Sequence, residues 1–195
     1  MSTDGRIHEE ITKCASDFRY FCRYLKIVDK RGKQVAFRPK DAQEALIENL
    51  DRNPSVYALK ARQLGITTVI AARFFWRALL SPNHRVCVIA HRTESAEVIF
   101  EIYKRFYDAL PSFLKFDTER ANVRELKFFH GGLIRVATAN SDSFRGTTYQ
   151  ALHCSEFAFW NDVDRTIAAA FQTAGPDAEI VLETTANGMN DAHRM

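Results

Sequence analysis

The chain has 195 residues, 46% of them hydrophobic and 26% charged, with a net charge of +3. That is enough for one α/β domain with a proper core, and it excludes a disordered chain and a pair of large domains. The charge permits a basic nucleic-acid surface without arguing for one.

Cys14, Cys22, Cys87 and Cys154 lack metal-ligand spacing and read as reduced, mostly buried thiols of a cytoplasmic protein. No signal peptide is expected, because the N-terminus is charged and has no apolar segment. The longest apolar run, after Thr68, is interrupted by Arg73 and Arg77, so no membrane span is expected.

Residues 7–26 place Ile7, Ile11, Cys14, Phe18, Phe21, Cys22 and Leu25 at helical spacing, which predicts one amphipathic helix whose aromatics pack on the main domain. Two short apolar runs around Asp29–Lys33, with Gly32 in the turn, predict a hairpin. Pro39 suits a helix entrance, and a helix follows from Gln43 to Leu50. An amide there can face an adenine edge as donor and acceptor; taken alone, the segment reads better as a surface glutamine in a helix's first turn.

Asn53-Pro54 ends that helix, and Ser55–Leu59 predicts a strand. The next residues are Lys60-Ala61-Arg62-Gln63-Leu64-Gly65-Ile66-Thr67-Thr68, opening a helix to Leu80 that is apolar nearly all round. Strand, glycine turn and helix are the layout of a phosphate-binding loop. Two positions depart from G-x-x-x-x-G-K-[ST]: Lys60 stands at the first glycine, and Ile66 at the lysine. A long side chain can bring an ammonium to phosphates from either end of a loop, and Thr67 keeps the place of the Mg²⁺-binding hydroxyl. An ordinary βα turn with a lysine at the strand end would look similar.

Val86–Ala90 is a continuous apolar run, as in an interior parallel strand. A helix from about Glu94 to Leu110 follows, and two strand–helix units in tandem imply right-handed crossovers. The partly basic stretch Lys115–Arg124 reads as a solvated loop. Lys127–Phe129 and Leu133–Val136 flank a Gly131-Gly132 turn and predict a hairpin. The polar segment 140–148 leads to a strand at Ala151–Cys154, which runs into Ser155-Glu156. A helix over about Asp162–Thr173, a turn at Gly175-Pro176 and a strand at Glu179–Leu182 complete the order. The end soon after that strand suggests a fragment, or a chain cut before a second domain.

Three polar clusters therefore close predicted parallel strands: Lys60–Thr68, Ser155-Glu156 and Thr184–Asn187. That edge is where ligands bind open α/β sheets. A nucleoside triphosphatase needs a phosphate cradle with Mg²⁺, a carboxylate to activate water, and a γ-phosphate sensor, and the clusters supply them in that order. Glu156 is the water-activating carboxylate on this reading. Ser155 takes a position that is commonly a metal-side aspartate; its hydroxyl can hold a metal-bound water but brings no charge.

Phe37, Pro39 and Gln43; Lys60 to Thr68; Ser143-Phe144-Arg145-Gly146; Leu152 to Trp160; and Glu183-Thr184-Thr185-Ala186-Asn187-Gly188 occur in order. In that order the chain resembles the N-terminal ATPase domain of the large terminase subunit of tailed bacteriophages. The resemblance implies a three-layer P-loop NTPase-type, mostly parallel sheet over 37–195, with a helix-and-hairpin extension over 1–36. It implies that Gln43 contacts adenine, Lys60 binds phosphates, Arg62 and Gln63 respond to nucleotide state, and Thr67 ligates Mg²⁺ beside Gly65 and Thr68. Glu156 would be catalytic, and Thr184, Thr185 and Asn187 would couple hydrolysis to movement. Arg145 would reach a neighbouring subunit's site, or else be a salt-bridged surface residue. ATP and Mg²⁺ are the implied cofactors. Double-stranded DNA, a homo-oligomeric ring on the capsid portal and the small terminase subunit are the implied partners, at the procapsid in the host cytoplasm. No nuclease activity is expected of these residues. A hydrolysis-deficient regulatory relative and a helicase-like ATPase are the alternatives.

Overall fold

The computed structural model describes residues 3–139 and 144–187. Helix α1 (Thr3–Ser16) opens the chain and α2 (Phe18–Phe21) follows at once. The single helix expected over 7–26 is therefore broken. Asp17 is extended, and its side chain accepts from the Arg19 and Tyr20 N–H groups. An aspartate that caps a new first turn in this way ends the preceding helix. Both pieces still bury the expected face: Phe18 lies against Trp76, and Phe21 against Phe75.

Strands β1 (Lys26–Val28) and β2 (Gln34–Ala36) pair antiparallel as a separate hairpin, with Ile27 opposite Val35. Then come α3 (Asp41–Arg52), β3 (Ser55–Leu59), α4 (Ile66–Leu80), β4 (Arg85–Ala90) and α5 (Thr93–Ala109). After them lie β5 (Thr118–Ala121), β6 (Glu125–Phe128), β7 (Leu133–Thr138), β8 (Tyr149–Ser155), α6 (Val163–Phe171) and β9 (Ala174–Thr184). Among the described residues the main sheet has seven strands in the order β3-β9-β8-β4-β7-β6-β5. The first five are mutually parallel, and β6 and β5 add antiparallel at one edge.

Alternation along the strands gives the sheet two apolar faces. Val56, Val86, Val88, Ile134 and Val181 pack with α1–α5 on one side. Cys87, Ile89, Leu152, Cys154 and Leu182 pack with α6, Phe144, Phe157 and Trp160 on the other. This is the three-layer arrangement that the alternation of strands and helices implies. All four cysteines are free and buried. Burial pushes their thiols up, Cys14 to about 11 and Cys22 and Cys87 to about 12, so they are packing residues rather than nucleophiles.

Two further expectations change. Part of the stretch 115–124 is not a loop but the edge strand β5. Its neighbourhood is stitched by Arg120–Glu125 at 2.9 Å and Lys127–Glu119 at 2.7 Å. Charged side chains of this kind blunt an exposed edge. Gly175-Pro176 lies inside β9, at an irregularity: Tyr149 pairs with Ala174, but Ala151 pairs with Glu179. Proline has no N–H for the ladder, so the strand bulges there instead of ending.

Helix α4 is the central support of the sheet, and its one fully sequestered charge is neutralised in place. Arg73 is 5% exposed. It binds Asp51 at 2.6 Å and Glu179 at 3.3 Å, and its guanidinium lies over the rings of Phe18 and Trp76. It thereby ties α2, α3, α4 and β9 together. Arg73→Ala is expected to cost about 2 kcal/mol, less than the ~3–5 kcal/mol of a wholly buried pair because Asp51 keeps access to water. Urea unfolding of the variant against the parent chain measures it.

Candidate active site

The β-sheet order brings the three sequence clusters together. Strands β3, β9 and β8 are neighbours, with Leu59 opposite Thr184 and Ser155 opposite Glu183. The residues that follow each strand therefore emerge side by side at the carboxyl edge. There Lys60, Arg62, Gln63, His91, Glu156, Phe159 and Thr185 line a cleft of about 350 Å³.

The turn between β3 and α4 is held at both ends. The Lys60 N–H donates to the Thr184 carbonyl at 2.9 Å, while Gln43 Nε2 donates to the Gly65 carbonyl at 2.8 Å. Gly65 is left-handed at φ 71°, and a Cβ there would lie 2.5 Å from Gln43 Nε2. Gln63 is also left-handed, at φ 65°, and its Oε1 accepts from Lys30 Nζ of the β1–β2 turn at 3.1 Å. Gln43 Oε1 accepts from the Lys40 N–H at 3.0 Å and caps α3. Both amide groups of Gln43, the residue assigned to adenine, are thus engaged within the protein.

Lys60 and Glu156 share the cleft, with Nζ and Oε1 3.4 Å apart. The nearer partners of the ammonium are Thr67 Oγ1 and Glu183 Oε2, each at 2.9 Å. Glu183, absent from the site residues expected from the sequence, is the hub of the arrangement. Its side chain is fully buried. Besides Lys60, it accepts from Thr67 Oγ1 at 2.8 Å and Ser155 Oγ at 3.0 Å, and it faces His153 Nε2 at 3.0 Å. His153 is buried too, against the Phe74 ring, with no hydrogen-bond partner at Nδ1 among the described residues. Burial alone would raise the Glu183 pKa. The hydrogen bond and charge of His153, and the Lys60 ammonium, outweigh it and hold the carboxyl at about 2.

Glu156 is built differently. It follows β8 in the left-handed region at φ 51°, capping a 3-10 turn over Phe157–Phe159, a strained backbone of the kind found at functional sites. Its Oε2 accepts from both the Thr185 N–H and the Thr185 hydroxyl at 3.1 Å. The Thr184 hydroxyl accepts from the Ala158 N–H at 3.3 Å, and Asn187 Nδ2 donates to the Ala158 carbonyl at 2.8 Å. The segment after β9 is therefore bonded to the carboxylate and to the turn that presents it.

Thr68 is half-buried in the first turn of α4, next to Thr67. Arg145 does not line the cleft. It is exposed, directly after the buried Phe144 and four residues before β8 begins at the opposite edge of the sheet. Ser143 and Gly188, parts of the quoted motifs, lie outside the described residues. His91 and Phe159, with ring centroids 6.0 Å apart, join the cleft unforeseen. A charged residue closing the apolar run of β9 was the signal for Glu183, and the position straight after β4 was the signal for His91.

Among the described residues no three His, Cys, Asp or Glu side chains gather as a metal cage. The oxygens of Thr67, Ser155 and Glu183 are hard donors. They suit a Mg²⁺ ion held chiefly by phosphate and water. No described helix is long and apolar enough to cross a membrane.

The strand order and the helices on both faces together define a three-layer α/β domain with a mostly parallel central sheet. The family model "Terminase large subunit, T4likevirus-type, N-terminal" matches residues 57–195, and the chain belongs to that family. Among solved structures it is similar to the large terminase of bacteriophage HK97, with a TM-score of 0.70 and 16% identity over 91% of this chain and 39% of that one. The chain thus spans about two fifths of that protein. It is also similar to the large terminase ATPase domain of Thermus phage P74-26, with a TM-score of 0.58 and 18% identity over 79% of this chain and 67% of that one. An arginine-to-alanine mutant of the same domain gives the same score and identity over 81% and 69%.

Two outcomes test the geometry. Gly65→Ala is expected to lower stability by about 1–2 kcal/mol from the left-handed backbone alone, with more from the contact with Gln43; thermal melting reports it. A carboxyl with a lowered folded pKa binds fewer protons folded than unfolded, so its contribution is present above about 4.5 and lost as the pH falls toward about 2. Urea midpoints should therefore fall steeply across that window in the parent chain and less steeply in Glu183→Gln.

Proposed function

We propose that this chain is a Mg²⁺-dependent ATPase domain that drives double-stranded DNA during phage genome packaging. The observation that carries the reading is the meeting of Lys60, Thr67 and Glu156 in one cleft at the carboxyl edge of the sheet. On this reading the Lys60 ammonium, now divided between Glu183, Thr67 and Glu156, turns to the nucleotide phosphates. The first-turn N–H groups of α4, with no side chain at Gly65 to cap them, face the same anion. Thr67 would ligate the Mg²⁺, which when bound neutralises charge developing on the transferring phosphoryl group. Glu156 orients the attacking water and takes its proton.

Arg62 and Gln63 sit at the mouth of the cleft and sense occupancy. Thr184, Thr185 and Asn187 are tied to Glu156 and to Ala158, so a change in the carboxylate's partners is transmitted into the segment beyond β9. Gln43, anchored to Gly65, stands beside the loop to read the adenine.

Arg145 lies outside its own cleft, which supports service to a neighbouring subunit in a homo-oligomeric ring at the capsid portal. Such an arginine is worth roughly 10³–10⁵ in rate, so a lone chain hydrolyses ATP slowly. The small terminase subunit and DNA are the further partners, in the host cytoplasm. Contacts with DNA would be to phosphates, insensitive to sequence and weakened by salt.

Phosphate release at high protein concentration, with and without DNA, tests the reading. Lys60→Ala is expected to abolish turnover. Glu156→Gln should bind ATP yet lose roughly 10²–10⁴ in rate, the usual share of a general base. Turnover that survives both changes would overturn the proposal.

A further inference from the structure

The metal side of a phosphate-loop site needs a fixed negative charge next to the loop hydroxyl. At the end of β8, the strand that leads to the catalytic carboxylate, this chain offers only Ser155. Across the β8–β9 rung, however, Ser155 is paired in register with Glu183. The two side chains rise from adjacent strands on the same side of the sheet and meet, with Ser155 Oγ 3.0 Å from Glu183 Oε1. The same Oε1 is 2.8 Å from Thr67 Oγ1, the hydroxyl at the start of α4. Glu156 makes its own hydrogen bonds to Thr185 and faces Lys60 at 3.4 Å, the longer of the two carboxylate contacts of that ammonium.

We propose that Glu183 supplies the metal-side carboxylate that Ser155 lacks, so that the charge has moved one strand over, from β8 to β9, while keeping its place next to Thr67. The proposal rests on the ATPase reading given above. Glutamate is one methylene longer than aspartate, and that length lets a residue of the neighbouring strand reach the same point. Lys60 at 2.9 Å balances the carboxylate. Were phosphates to draw the ammonium away, Glu183 Oε2 would be free to accept from a metal-bound water, with the Ser155 hydroxyl keeping Oε1 oriented. His153, on the far side at 3.0 Å, fixes the same oxygen from within the core.

The experiment compares ADP binding by calorimetry in Mg²⁺ and in EDTA, with electron paramagnetic resonance of Mn²⁺ as a direct reading of the ion. In the parent chain Mg²⁺ should tighten ADP binding. Glu183→Gln should reduce that ratio roughly 10–100-fold, the usual cost of removing a group that orients a metal's ligands, and should release Mn²⁺ while ADP still binds in EDTA. Restoring the charge on β8 in Ser155→Asp/Glu183→Gln should recover both signals. An unchanged ratio in folded Glu183→Gln overturns the assignment and leaves the ATPase reading standing. If Glu183→Gln does not fold, the double variant decides alone: folded but without Mg²⁺ dependence, it too overturns the assignment. A parent chain that binds no ADP in either condition overturns the ATPase reading, and this assignment with it.

Discussion

An ammonium and a carboxylate withdrawn from water are tolerated only where each is fully engaged, and Lys60 and Glu183 meet that condition on one another. The ion pair stands where β3, β8 and β9 end, with Thr67, Ser155 and His153 taking up the remaining capacity of the carboxylate. Removal of Lys60 would leave the fully buried Glu183 charge without its cation in a low-dielectric site, whereas Lys60 without Glu183 keeps Glu156 and the cleft. The loop before α4, the end of β8 and the end of β9 are thus held in one arrangement by electrostatics as well as by the sheet. Any anion that drew the ammonium toward itself would have to work against that balance.

Strain is gathered around the same cleft. Gln63, Gly65 and Glu156 all have positive φ, and the non-glycine members persist only because their surroundings over-determine them. Glu156 is held by Thr185, and Gln63 by Lys30. Each restraint comes from a different segment, the residues after β9 in one case and the β1–β2 turn in the other.

The parallel core was legible because it obeys simple rules. The apolar runs of β3, β4 and β8 and the all-round apolar character of α4 leave little choice but a buried sheet with helices on it. What failed was local chemistry in competition with pattern. Asp17 sits within an unbroken helical period, yet its carboxylate prefers to cap a fresh turn. β5 is too charged to read as a strand, since an edge buries little. Gly175-Pro176 looks like a turn, but β8 continues to pair around it. In the site, Lys60, Thr67 and Glu156 were readable from spacing along the chain. Glu183 was not, because its importance comes from register: only after β9 is laid beside β8 does it face Ser155. His91 likewise becomes part of the cleft only through the neighbouring position of β4.

Gln43 joins the loop to the helix that precedes it. A primary amide has two hydrogens and two lone pairs, and the protein occupies one of each, through Gly65 and Lys40. A purine that used the remaining donor and acceptor could be read without loosening either tether. One that displaced the tethers would uncap α3 and free the glycine hinge in the same movement. The side chain is therefore a mechanical junction: whatever pulls on it at the loop end is felt at the first turn of α3, whose far end holds Arg73 through Asp51.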